Sequence, residues 1–216
     1  AFKDILDLGA VFSLDLKRII RSVGFNVGTD IETIIPSGSF WDDYAVDGNF
    51  DGPAADKANC QMQVATSQTA SGSFGSFNNF ANGTFKGRRF KFKLVLETTS
   101  TSQNMNVQQA GYKAEFQART EQNYQTGGST STAPQQSGTS AKAVTFGRPF
   151  FVGTSSLGGA NAFLPTVGIT IQNAQSGDFF TVTNVSGTGF TVNIKNGSSF
   201  VDRTFTFQAV GYGKGV

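Results

Sequence analysis

Asp47-Gly48-Asn49-Phe50-Asp51-Gly52 is the one stretch of this chain whose spacing matches a metal site. Oxygen ligands at the first, third and fifth positions, followed by glycine, form the front half of a calcium-binding loop. The back half departs from that pattern, because Ala58 stands where a bidentate acid belongs. Asp56, with Asp42 and Asp43 upstream, are the acids left to complete a shell. The competing reading is a pair of Asp-Gly turns whose side chains bond their own backbone. Calcium at Asp47, Asn49 and Asp51 therefore stays an alternative to turns, and no other cofactor is expected.

Trp41, inside Phe40-Trp41-Asp42-Asp43-Tyr44, has the chemistry of a sugar-stacking platform beside hydrogen-bonding acids. A lone tryptophan among many phenylalanines equally reads as an anchor that buries most of its area. Asp42 and Asp43 are adjacent, so on an extended backbone they point to opposite faces and are not by themselves a glycosidase pair. The chain has no histidine, which removes imidazole triads and leaves Cys60 without an imidazole to activate it. Catalysis is disfavoured. The amides of Asn78 and Asn79 could hold sugar hydroxyls, or simply solvate the loop that ends at Asn82-Gly83. Gly72-Ser73-Phe74-Gly75 and Gly187-Thr188-Gly189 lack the strand-to-helix setting of a phosphate loop and read as turns.

The elements that must position these residues are strands. From Thr166 to the end, apolar and polar residues alternate with a period of two, and each run stops at a Gly, Asn or Ser cluster. Phe205 and Phe207 take one face, Thr204, Thr206 and Gln208 the other. Asn196-Gly197 reads as the centre of a type I′ hairpin turn. Upstream, Phe90, Phe92, Leu94 and Leu96 share a face, as do Tyr112, Ala114 and Phe116, and Cys60, Met62 and Val64. The start is two-sided: Phe12, Leu14 and Leu16 alternate as in a strand, whereas Leu16, Ile19, Ile20 and Val23 fit helical spacing. Strand is the reading that agrees with its surroundings.

Composition bounds the rest. Phenylalanine supplies 22 of 216 residues, against 4 tyrosines and 1 tryptophan, so the core is aromatic. Only 15% of residues are charged, below the roughly 25% of an ordinary soluble domain. A polar but weakly charged surface suits contact with identical chains or with carbohydrate. The net charge of +2, with no basic run beyond Lys86-Gly87-Arg88-Arg89, argues against a nucleic-acid partner. No stretch reaches the ~18 apolar residues of a membrane-spanning helix, so membrane insertion is not expected. The single Cys60 rules out an intrachain disulfide, which leaves packing and oligomerisation to supply stability. The chain opens at Ala1 in mid-pattern, which reads as a processed chain or the end of a longer one.

The expected fold class is all-β: two antiparallel β-sandwiches, jelly-roll-like or lectin-like, joined by a polar linker. The first spans 1–121. Residues 122–140 (QNYQTGGSTSTAPQQSGTS) contain almost nothing to bury and read as the linker. The final domain, 141–216, is expected to hold six strands, two of them short ones at Val144-Thr145-Phe146 and Phe150-Phe151-Val152.

Residues 141–150 (AKAVTFGRPF) and 164–213 (LPTVGITIQN…TGFTVNIK…VDRTFTFQAVGYG) closely resemble the terminal domain of host-specificity (tip attachment) proteins and central tail fibres of tailed phages. Trp41-Asp42-Asp43, Phe50-Asp51-Gly52, Gly87-Arg88-Arg89-Phe90-Lys91-Phe92-Lys93-Leu94 and the strand over 106–115 resemble the domain that often precedes it. Residues 155–161 depart from that family as an insertion before Leu164-Pro165. The resemblance implies a non-enzymatic homotrimer at the distal end of the virion tail. Its expected partners are further copies of itself, other tail proteins, and a bacterial surface receptor or glycan. Its shape would be similar to trimeric β-sandwich lectins. The shared motifs are turns and core positions, so no binding residue carries over. By residue type alone, Trp41, Tyr44, Asn78, Asn79 and Asn161 of the insertion are the candidates. A purely structural tail component is the main alternative; a glycan-degrading tailspike fragment ranks below it, because no β-helical repeat is visible.

Overall fold

The structure is a computed structural model and describes residues 2, 4–26, 57–122 and 135–215. Among the described residues every regular element is a strand, and the chain is all-β and sandwich-like. The strands are β1 (Leu6–Asn26), β2 (Ala58–Ser67), β3 (Asn78–Asn79), β4 (Gly83–Thr98), β5 (Gln103–Glu115), β6 (Ala118–Gln122) and β7 (Gln135–Gln136). They continue as β8 (Lys142–Thr145), β9 (Thr166–Ile171), β10 (Asp178–Thr183), β11 (Gly189–Asn196), β12 (Ser199–Phe200), β13 (Thr204–Tyr212) and β14 (Lys214–Gly215). Among the described residues no helix is long and apolar enough to cross a membrane.

β1 settles the two-sided start of the chain. Leu14, Leu16 and Ile20 point to the core, while Ile19, Val23 and Phe25 stand exposed on the other face. The helical spacing of Leu16, Ile19, Ile20 and Val23 thus comes from a strand with apolar residues on both faces. β1 pairs with β4 through its first half and with β5 through its second. β4 in turn pairs with β2, and β2 with the short β3. The sheet curls back on itself: β4 and β5 are not ladder neighbours, yet Phe92 stacks on Tyr112 with ring centroids 4.4 Å apart. The aromatic core lies between the two arms of this curl, around Phe12, Phe80, Phe90 and Phe92.

In the C-terminal unit two four-stranded sheets face each other. One centres on β11, flanked by β10 on one edge and by β8 and β12 as its other partners. The second centres on β13, with β9, β6 and β7 as partners. Phe190, Val192 and Ile194 from β11 meet Phe205, Phe207 and Ala209 from β13, each set spaced by two residues as a half-buried strand requires. Burying such side chains is worth about 1.5–3 kcal/mol each, which is why the alternation was readable at all.

Four details differ from the sequence reading. β7 lies within the expected linker at 122–140 and β6 ends on its first residue, yet both pair with β13, because polar side chains do not prevent a backbone from extending a ladder. Ser137 is buried there, bonded to Val201 and Arg203. Conversely, β14 leaves the C-terminal unit and pairs with β1. Phe150-Phe151-Val152 forms no strand; Phe151 makes one isolated bridge to Tyr212. The hairpin turn sits one residue later than expected, since Asn196 pairs with Ser199 and Gly197 takes φ 58. Positive φ at the first central residue alone is the pattern of a type II′ turn.

The two units share a joint. Phe151 belongs to the N-terminal core: it stacks on Phe116 at 4.0 Å and meets Phe12 edge-on at 5.7 Å. The register of β1 shifts between Asp7 and Phe12, where Gly9 adopts φ 80 and donates to Asp7 Oδ1. Thr154 docks on that bulge, donating from Oγ1 to the Asp7 carbonyl at 2.8 Å. Leu157 follows it onto the same core.

Candidate functional site

Where the loop after Phe151 crosses the N-terminal unit, it closes one side of a cleft of about 600 Å³. The opposite wall is the segment carrying Phe2, Asp4 and Ile5, held beside β4 by the Phe2 amide donating to the Phe92 carbonyl. Leu6, Met62 and Phe92 form a buried apolar floor. Ala110, Gly111 and Tyr112 come from β5, and Ser155 and Ser156 from the loop. Phe2, 39% exposed, stands at the rim with Asp4 and the two serines. The cleft therefore joins an apolar base to a rim of hydroxyls and one carboxylate.

Tyr112 links the two. Its ring lies against Phe92, and its hydroxyl is pushed above the ordinary phenol range, first by burial and then by the negative charge of Asp4. It stays protonated at neutral pH and is a hydrogen-bond donor.

Three other carboxylates, Glu115, Asp178 and Glu121, are tied to cations. Glu115 accepts from Lys113 and Lys17, each at 2.7 Å, and these bonds lower its pKa to about 2. Asp178, whose side chain is 1% exposed, accepts from Arg203 Nε at 2.6 Å. Bonds from Arg203, the Gln175 amide and Asn196 hold it well below the usual carboxylate range. Glu121, 8% exposed, accepts from Arg119 and from the Gly147 amide, while the Arg119 guanidinium lies 3.9 Å from the Phe150 ring centroid. Each of these clusters pins a turn or strand end.

Of the candidates named from sequence, Trp41, Tyr44, Asp47, Asn49 and Asp51 lie outside the described residues. Asn78 and Asn79 form β3, exposed at the edge beside β2, with Asn78 Nδ2 donating to the Ser76 carbonyl. Asn161 is exposed with φ 58 in the inserted loop. None of these three lines the cleft; Ser155 and Ser156, from the same insertion, do. Among the described residues no group of three or more acids, cysteines or histidines is placed to hold a metal. Tyr112 was readable as a core-facing strand position but not as a site residue. The available signal was its hydroxyl, which at an inward position must reach a partner or water.

Compared with protein-family models, characterised proteins and solved structures, the chain has no match.

Proposed function

We propose that the chain is a distal tail-fibre or tail-tip module of a tailed bacteriophage, which attaches the virion to a bacterial surface as a homotrimer and without catalysis. The reading starts from the resemblance carried by residues 141–150 and 164–213. The observation that supports it best is an apolar patch on the outer face of the C-terminal sandwich. Val210 and Tyr212 alternate with the buried residues of β13 and are 46% and 48% exposed. Phe163 meets Tyr212 edge-on at 6.4 Å, and exposed Leu164 follows it. Strands whose other face already fills a core carry such residues outward when a partner covers them. The carboxylate clusters, each held by cations, are suited to structure and not to proton transfer.

Two measurements test the reading. Light scattering of the purified protein is expected to give about three times 22.9 kDa; a stable monomer at micromolar concentration overturns the trimer. Purified protein is also expected to bind host cells and to block phage adsorption. No effect in either assay favours a purely structural tail component.

A further inference from the structure

The cleft beneath the inserted loop has a chemistry of its own. Its base is apolar and aromatic, through Met62, Phe92 and the Tyr112 ring. Its rim offers hydroxyls from Tyr112, Ser155 and Ser156, the Asp4 carboxylate, and the partly exposed ring of Phe2. A pyranose has the complementary shape: an apolar C–H face and a circumference of hydroxyl groups. A volume of about 600 Å³ falls within the ~300–1,000 Å³ of small-ligand sites.

We infer that this cleft binds an uncharged saccharide, with Asp4 and Tyr112 bonding its hydroxyls and Ser155 and Ser156 closing over it. Charge selects the class of sugar. Among the described lining residues the Asp4 carboxylate is the charged group, and a uronate or phosphorylated sugar would meet its repulsion. The adjacent Lys113 is occupied by Glu115 at 2.7 Å. The Tyr112 hydroxyl is protonated at neutral pH like any phenol, and burial and Asp4 push it further that way, so the cleft presents a donor beside an acceptor. Among the described lining residues no second acid accompanies Asp4, whereas glycoside hydrolysis uses two, so the described lining is suited to holding a sugar and not to cutting it. The inference rests on the attachment reading for its purpose, because a sugar on a cell envelope is what such a module would grip.

The test uses the full chain on an array of immobilised neutral and anionic bacterial oligosaccharides, followed by titration of the strongest binder in solution. Neutral glycans are expected to bind and anionic ones not. Tyr112→Phe keeps the ring on Phe92 and removes one hydrogen bond, which is expected to weaken binding about fivefold. Ser155→Trp fills the cleft from an exposed rim position and is expected to abolish binding while leaving the melting temperature unchanged. Binding of anionic glycans alone, binding of none, or full affinity in both variants overturns the inference. Adsorption competition separates the two proposals. Sugar binding without any block of adsorption sinks the attachment reading and leaves the cleft standing. A block that survives Ser155→Trp leaves attachment standing and sinks the cleft as its grip.

Discussion

Phe151→Ala is the substitution that most directly tests how the two units are joined. Phe151 comes from the C-terminal stretch but is buried in the N-terminal core, stacked on Phe116 at 4.0 Å and edge-on to Phe12 at 5.7 Å. Truncating a buried phenylalanine costs about 3–5 kcal/mol, and the ring pairs place this one toward the upper end. At about 2–4 °C per kcal/mol for a chain of this size, the melting temperature should fall by about 8–20 °C. The assay is thermal and urea unfolding followed by far-ultraviolet circular dichroism, with protein concentration held fixed because association would shift the midpoint. Wild type is expected to unfold in one transition, and Phe151→Ala in two, since the tie between cores is cut. Phe146→Ala is the comparison: its ring packs on Phe150, Phe190 and Phe207 within the C-terminal core, so it should lose similar stability without such splitting. A Phe151→Ala protein that loses less than about 1 kcal/mol and still unfolds in one step refutes the shared core.

Three further outcomes are expected. Val210→Asp together with Tyr212→Asp changes only exposed positions, so it should leave a well-folded chain whose light-scattering mass drops to that of a monomer. Gly189→Ala places a methyl 2.2 Å from the Val144 carbonyl oxygen and should cost about 1–3 kcal/mol by thermal melt, whereas Gly83→Ala meets open space and should be close to neutral. Asp178→Asn should lower the melting temperature at pH 7 and flatten its acid dependence. The carboxyl is held below its ordinary value in the folded state, so its contribution is present above that value and is lost as pH falls below it. Glu115 titrates in the overlapping window from 4.5 down to about 2, but its exposed ion pairs contribute little, and an unchanged acid profile in Asp178→Asn would refute the assignment.

The strands were legible because burial is periodic. Phe205, Phe207 and Ala209 lie on one face of β13 with Thr206 and Gln208 on the other, and any sequence that fills one side of a sheet must alternate in this way. Pairing was less legible. Backbone ladders recruit Gln135 and Gln136 as readily as valines, so a polar stretch concealed two strand edges. The turn at Gly197 shows a similar limit: composition marks that a hairpin occurs, while the register of the flanking strands decides which residue takes the positive φ. The cleft was not legible at all. Its lining comes from residues 2, 4–6, 62, 92, 110–112 and 155–156, which no local window joins. The loop at 155–161 stands out in the sequence as a Ser- and Gly-rich interruption before Leu164-Pro165, and two of its residues reach the site.

That loop also ties the site to the joint. Ser155 and Ser156 stand between Thr154, bonded to the Asp7 carbonyl, and Leu157, packed on the N-terminal core. Just before them, Phe151 is locked between Phe12 and Phe116. The rim of the cleft is thus suspended between anchors whose stability belongs to the interface of the two units. The opposite wall is positioned by β1 and by the Phe2 amide on Phe92, both elements of the N-terminal unit. A substitution that loosens Phe151 or Thr154 should therefore move one wall of the cleft relative to the other, although neither side chain lines it. Affinity at the cleft and cooperativity of unfolding should fall together across such variants, while substitutions inside the C-terminal core, such as Phe146→Ala, should lower stability and leave affinity intact.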